Sequence, residues 1–217
     1  GFMQSLLTGQ MDLDCQGYQP AHVYLNGEYW GILNVREKIN EHYPASNYDI
    51  HSDLVDMLER ERYLTYGDVV HGDGKHYGEL ISFVEENNLS EEANYEYVKT
   101  QMDVSEYMNL FLANIYFENE DWPQNNMKYW RPHVEGGRWR WILYDTDMGW
   151  GLFPRSGNTL EAATVVRGAT VLIRALLENE EFKSEFIQRM AGLINTTFHP
   201  DRVSPMYDSL LGQLNKE

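Results

Sequence analysis

The sequence predicts an α+β protein, with two antiparallel hairpins set among helices. Three observations carry this. Asn26-Gly27-Glu28 separates two β-rich runs, PAHVYL and YWGILNV, and Asn-Gly accepts positive φ at low cost. MKYWRPHV and RWRWILY, rich in aromatic and β-branched residues, flank a second turn signal at Glu135-Gly136-Gly137. Most of the remaining chain repeats the helical period, so the strands come in hairpins and not in alternating βα units.

Taken in order, residues 2–8 finish a helix that Gly9 stops. Asp12 to Gly17 reads as loop. The first hairpin follows, with Pro20 suited to the start of an edge strand, and it ends in Arg36-Glu37-Lys38. Glu41 to Ser52 reads as a polar surface connection. DLVDMLERERYL has helical spacing at Leu54, Val55 and Leu58, and Thr65 to Gly78 is a loop rich in Gly, Asp and His. HYGELISFVEENN is helical through Leu80, Ile81 and Val84, and Ser90 is the expected N-cap of EEANYEYVKTQM. Asp103 to Glu106 is a capping-box pattern opening VSEYMNLFLANIYFEN. Apolar residues occupy more than one face of that helix, which places it inside the fold. Pro123 prevents its continuation. After the second hairpin, 152–169 is expected to form a loop over the site. ATVLIRALLENEEF, SEFIQRMAGLINTTF and DRVSPMYDSLLGQLNKE then read as amphipathic helices. There is no internal repeat and no low-complexity tract.

The 217 residues are 42% hydrophobic and 13% aromatic, ample for a core. Seventeen Lys and Arg stand against 34 Asp and Glu, a formal charge of −17. That argues against a nucleic-acid or anionic-membrane surface. It also repels any phosphorylated ligand unless cations intervene. The single cysteine, Cys15, excludes an internal disulfide and is read as structural. No apolar run approaches the ~20 residues that span a bilayer, so no integral membrane segment is expected. No signal peptide is visible, and Gly1-Phe2 looks like mid-helix sequence, as though upstream residues had been removed. Localisation cannot be read from this end.

The chemistry gathers between Asp121 and Gly151. A hairpin centred near Gly136 predicts Met127 opposite Asp145 and Asn126 opposite Thr146. It brings Asp121, Asn125 and Asn126 towards Asp145 and Asp147. Strand alternation would put Asp145 and Asp147 on one face and Thr146 on the other. Converging oxygen donors are what a hard divalent cation requires. Asp121 would orient or deprotonate a hydroxyl while Asn126 holds the metal. The plainer alternatives are Asx turns for Asp145-Thr146-Asp147 and a simple helix end for Asp121, where an acid is electrostatically disfavoured. Gly72-Asp73-Gly74 and the Asp68, His71, Asp73, His76 group read as solvated loop. Lys38 is either a phosphate partner or an ordinary surface cation. Trp122, Trp130, Trp139, Trp141 and Trp150 read as hairpin packing, with a sugar platform as the alternative for exposed ones.

Three segments in order, VYLNGEYWGILNVREKIN, NEDWPQNNMKYW and RWILYDTDMGWG, together resemble the CotH kinase family of spore-coat-protein-H-like atypical protein kinases. The resemblance covers about residues 18–195. It implies an atypical protein-kinase-like fold of antiparallel hairpins and a mainly helical C-lobe. Residues 1–40 would be the remnant of a truncated β-rich N-lobe, and 41–217 the C-lobe carrying the active-site hairpin. The implied activity is transfer of the ATP γ-phosphate to Ser or Thr of a protein substrate with Mg²⁺ or Mn²⁺. By position, Asp121 is the catalytic residue, Asn126, Asp145 and Asp147 are metal ligands, and Glu37, with Lys38 beside it, lies on the nucleotide side. The family's Trp-Asp appears here as Tyr144-Asp145. A secreted or cell-surface bacterial setting stays open. Two other readings stand beside this one. One is a glycosyltransferase using Asp-x-Asp, which needs a parallel-stranded α/β fold. The other is an inactive kinase-like binding module with a structural metal.

Overall fold

The computed structural model describes residues 1–60, 67–151, 158–165 and 168–214. The chain forms α1 (Phe2–Leu7), β1 (Asp14–Cys15), β2 (Tyr18–Leu25), β3 (Glu28–Arg36), α2 (Tyr43–Tyr48), β4 (Val55–Arg60) and β5 (Asp68–His71). It continues through α3 (Lys75–Glu86), α4 (Glu92–Gln101), α5 (Val104–Tyr116), β6 (Met127–Pro132) and β7 (Arg140–Leu143). Four helices close it: α6 (Thr159–Val165), α7 (Val171–Leu176), α8 (Glu180–Ile194) and α9 (Pro200–Leu214). The architecture is α+β, as predicted.

Five strands make one sheet in the order β1-β7-β6-β4-β5, and β2-β3 forms a separate hairpin. Within the sheet, β1 runs parallel to β7 and the other pairs are antiparallel. Alternation along the central strands sorts their side chains into two cores. Met127, Tyr129, Trp141 and Leu143 join the large cluster under α3, α5 and the later helices. Trp130, Ile142, Val55 and Met57 turn to the other face, where Ile39 and Tyr43 cover them. In helix α5, Val104 and every residue from Glu106 to Asn114 are buried, as its apolar surround requires. Asp103 caps it by accepting from Glu106 N at 3.1 Å. Four of the predicted tryptophans, Trp122, Trp130, Trp139 and Trp141, are packed inside, while Trp150 stays partly open.

Several local expectations change. DLVDMLERERYL, read as helical, forms strand β4 over its first half; positions 61–64 lie outside the described residues. Asp56, Glu59 and Arg60 point into paired positions instead of solvent. Asp56 meets His133 at 2.8 Å and Glu59 meets Lys128 at 3.0 Å, so these charges do not mark an exposed helix face. The Gly- and His-rich loop contains β5, the Asp12–Gly17 loop contains β1, and the 41–52 connection contains α2. Glu91, not Ser90, is the N-cap of α4. The 152–169 segment includes α6, and the predicted helix over 169–182 breaks after Leu176. Among the described residues no helix is long and apolar enough to cross a membrane.

Candidate active site

Two loops build the site, one leaving α5 and the other leaving β7. Trp150 N donates to Phe117 O at 2.5 Å and Glu120 N to Met148 O at 3.4 Å, which docks the loops together. Gly149 lies at this junction, where a Cβ would meet Phe117 O at 2.8 Å. Six described non-glycine residues hold positive φ, and four of them, Glu118, Asn126, Asp145 and Trp150, are in these loops. Such conformations cost of order 1–3 kcal/mol each and persist where the surroundings impose them, commonly at functional sites.

The hairpin register differs from the predicted one. Lys128 faces Ile142, Tyr129 faces Trp141 and Trp130 faces Arg140, so the turn is centred one residue earlier than Gly136. Met127 is therefore not opposite Asp145, nor Asn126 opposite Thr146. The strand also ends at Leu143, and Asp145 has a φ of 49°, so strand alternation does not govern Asp145 to Asp147. The acids still converge, because the loop folds back onto Asn126.

Asp121 has both carboxylate oxygens held by amides. Asn125 Nδ2 donates to Oδ1 at 2.7 Å and Asn126 Nδ2 to Oδ2 at 3.2 Å. The same Asn126 nitrogen reaches the Asp145 carbonyl at 3.5 Å, so Asn126 stands between the two loops. Burial first, then repulsion from Asp147, push the Asp145 carboxyl above its usual range. Asp147 also shares a hydrogen bond with it, Asp121 adds repulsion, and Arg36 acts the other way. A cavity of about 280 Å³ opens here, its lining including Asp145, Thr146, Asp147, Arg36, Tyr18 and Trp150.

Four of the residues singled out from the sequence, Asp121, Asn126, Asp145 and Asp147, are thus brought together. Glu37 and Lys38 are not part of that group. The Glu37 carboxylate accepts from Gly17 N at 3.1 Å and Asn47 Nδ2 at 2.8 Å, bracing the end of β3. Lys38 is exposed and does not line the cavity. The basic side chain that does is Arg36, which sequence reasoning treated only as the charged end of an apolar strand. Its Nη1 lies 3.8 Å from Asp145 Oδ1, with the two side chains 48% and 39% exposed. A pair so open to solvent contributes ~0–1 kcal/mol, so it does not explain the placement by stability.

Among the described residues no three His, Cys, Asp or Glu side chains are grouped to hold a metal by themselves. What converges is a linked pair of carboxylates, a third acid and a carboxamide. Mg²⁺ typically keeps several waters and takes one or two carboxylates together with substrate phosphates. The donor types, carboxylate and carboxamide oxygen, are those a hard divalent cation takes.

A helical body on a largely antiparallel sheet, with Asp121, Asn126 and Asp145 gathered where two loops meet, is consistent with a kinase-like fold. The sequence model of the CotH kinase proteins matches residues 2–217, and the chain belongs to that family. No curated protein matches it.

Proposed function

We propose that the protein is an ATP-dependent kinase that transfers the γ-phosphate to a Ser or Thr hydroxyl of a protein substrate. The observation that carries this reading is Asn126, whose one amide nitrogen meets both Asp121 and the Asp145 backbone. It couples a residue able to handle a hydroxyl proton to a residue able to bind a metal. Asp121 orients the acceptor hydroxyl and takes its proton as the new O–P bond forms and ADP leaves. Its own orientation is fixed by Asn125 and Asn126, so its carboxylate needs no rearrangement. Asp145, Asp147 and the Asn126 carboxamide oxygen would hold Mg²⁺ or Mn²⁺. When bound, the ion neutralises phosphate charge, which this acidic chain otherwise repels. A glycosyltransferase reading finds little support among the described residues, whose parallel pairing is the two-residue β1 against β7 and a single bridge between Met102 and Trp139.

The test is phosphate transfer from labelled ATP to a Ser-rich protein with Mg²⁺ or Mn²⁺. Asp121→Ala and Asp145→Ala should each reduce transfer by at least ~100-fold. Full transfer by Asp121→Ala would overturn the assignment. Metal binding by the intact protein without nucleotide binding would favour the inactive binding module.

A further inference from the structure

Arginine side chains in this protein are heavily used. Arg60, Arg131, Arg138, Arg140, Arg174, Arg189 and Arg202 each donate to a protein acceptor. Arg36 is the one described arginine for which no such bond is found. Its ion pair is the loose one to Asp145 at 3.8 Å, and its side chain is half exposed. Among the described residues it is also the one basic side chain lining the cavity that Asp145 and Asp147 share.

Its placement is built and not incidental. Arg36 is the last residue of β3, paired across the hairpin with Tyr18, which lines the same cavity. The next residue fastens the strand end: Glu37 N donates to Gly17 O at 2.9 Å, and the Glu37 carboxylate accepts from Gly17 N and Asn47. Gly17 fits closely there, since a Cβ would lie 3.1 Å from Glu37 Oε2. A fixed backbone therefore holds a guanidinium with its donors open towards an acidic cavity. A guanidinium presents five N–H groups in a planar fork that matches phosphate oxygens two at a time.

We propose that Arg36 is the phosphate-binding residue of this site, engaging the phosphate groups of a nucleoside polyphosphate, with Glu37 as the positioning residue behind it. This rests on the kinase reading and adds to it the side chain that receives the phosphates. It takes the place considered for Lys38, which is exposed and does not line the cavity. The loose pair with Asp145 is exchanged for phosphate at little cost once a cation occupies the carboxylates.

The experiment is calorimetric titration of the protein with ATP, ADP, AMP, adenosine and tripolyphosphate, each with Mg²⁺ and with EDTA. Arg36→Gln should weaken ATP binding about 10–100-fold, the range of charge-assisted hydrogen bonds. The loss should shrink from ATP to AMP and vanish for adenosine, and Arg36→Lys should restore part of it. The loss must also persist in an Asp145→Asn background, which removes the ion pair as an explanation. Equal loss for adenosine and ATP, in a variant with unchanged thermal melting, would show that Arg36 shapes the pocket without binding phosphate. Unchanged ATP binding by Arg36→Gln, where the wild type binds ATP, overturns this inference alone. No ATP binding by the wild type overturns the kinase reading and this inference with it. Tripolyphosphate binding as tight as ATP binding would overturn the assignment to a nucleotide and leave a free polyphosphate as the ligand.

Discussion

Arg140 and Arg36 both stand among carboxylates, and the fold treats the two groups in opposite ways. Arg140 is 19% exposed, and its Nη2 contacts Glu106 at 2.8 Å, Asp14 at 3.2 Å and Asp12 at 3.6 Å, while Nη1 is 3.7 Å from Asp103. The partners are bonded elsewhere too. Glu106 accepts from the backbone N–H of Asp14 at 3.1 Å and of Trp141 at 3.2 Å. Asp14 accepts from Trp130 Nε1 at 3.0 Å and from the Tyr48 hydroxyl. This cluster ties β1, β7 and α5 together, although Arg140 Nε stays buried without a partner among the described residues. Around Arg36 the reverse holds: its ion pair with Asp145 is loose at 3.8 Å, and both line an open cavity with Asp147. A closed acid cluster holds a fold; an open one is completed by something that binds.

The largest effect should come from breaking the closed cluster. Glu106 is fully buried. Burial, and then the Asp14 carboxylate, push its carboxyl above the usual range, against Arg140 and two backbone N–H groups that favour its charged form. Glu106→Ala removes the partner of all three donors at once. Arg140 keeps Asp14 at 3.2 Å, but two backbone N–H groups lose their acceptor and the cluster its most buried charge, a loss of about 3–5 kcal/mol. For a chain of this length that is a fall in Tm on the order of 10 °C. Glu106→Gln, which keeps the shape and one acceptor oxygen, should lose less. Thermal melts of both variants give the measurement, and a wild-type Tm for Glu106→Ala would contradict the role.

At the open cluster the same kind of change should have the opposite sign. A carboxyl raised above its unfolded value opposes folding at pH values above the raised one. The penalty fades as pH falls through that value and is gone below the unfolded aspartate value of about 3.9. Asp145→Asn removes this penalty, so the variant should be more stable than the wild type at neutral pH. The gain is a few tenths of a kcal/mol, on the order of 0.5, because the group is partly solvated and its repulsions are screened. It should shrink towards zero in melts run at progressively lower pH. Mg²⁺ should stabilise the wild type and not the variant, since a ligand of the folded state alone shifts the equilibrium. A variant less stable than the wild type at pH 7 would sink the contrast.

How far the sequence discloses this contrast depends on the distance over which each signal acts. The β6–β7 hairpin and helix α5 are legible because turn residues, a capping aspartate and aromatic alternation act within a few positions, whereas Asp121, Asn126 and Asp145 meet through a loop that leaves the predicted register and folds back onto Asn126. Strand β4 is not legible, because Asp56 and Glu59 look like a solvated helix face until His133 and Lys128 arrive from β6. Strand β1 is two residues long and exists only by pairing with β7, 128 positions on from Asp14 to Ile142. Arg36 escapes for the same reason. Its meaning comes from Asp145, and nothing between the two sequence positions announces the pairing.

The smallest effect tests whether the closed cluster is as closed as its hydrogen bonds indicate. Cys15 follows Asp14 in β1, and burial, with Asp14 and Glu106 adding repulsion, pushes its thiol up to about 12. Alkylation needs the thiolate, so at pH 8 iodoacetamide should modify Cys15 on the order of 10³-fold more slowly than an ordinary exposed thiol. Folding and stability do not enter this readout, provided the rate is measured well below Tm. Removing the Glu106 charge with Glu106→Gln should raise the rate only modestly, because burial is the larger cause and Asp14 remains. A Cys15 that reacts at the ordinary rate in the folded wild type would mean that water reaches β1. The Arg140 group would then be a solvated cluster like the one around Arg36, and the distinction between the two would fail at its root.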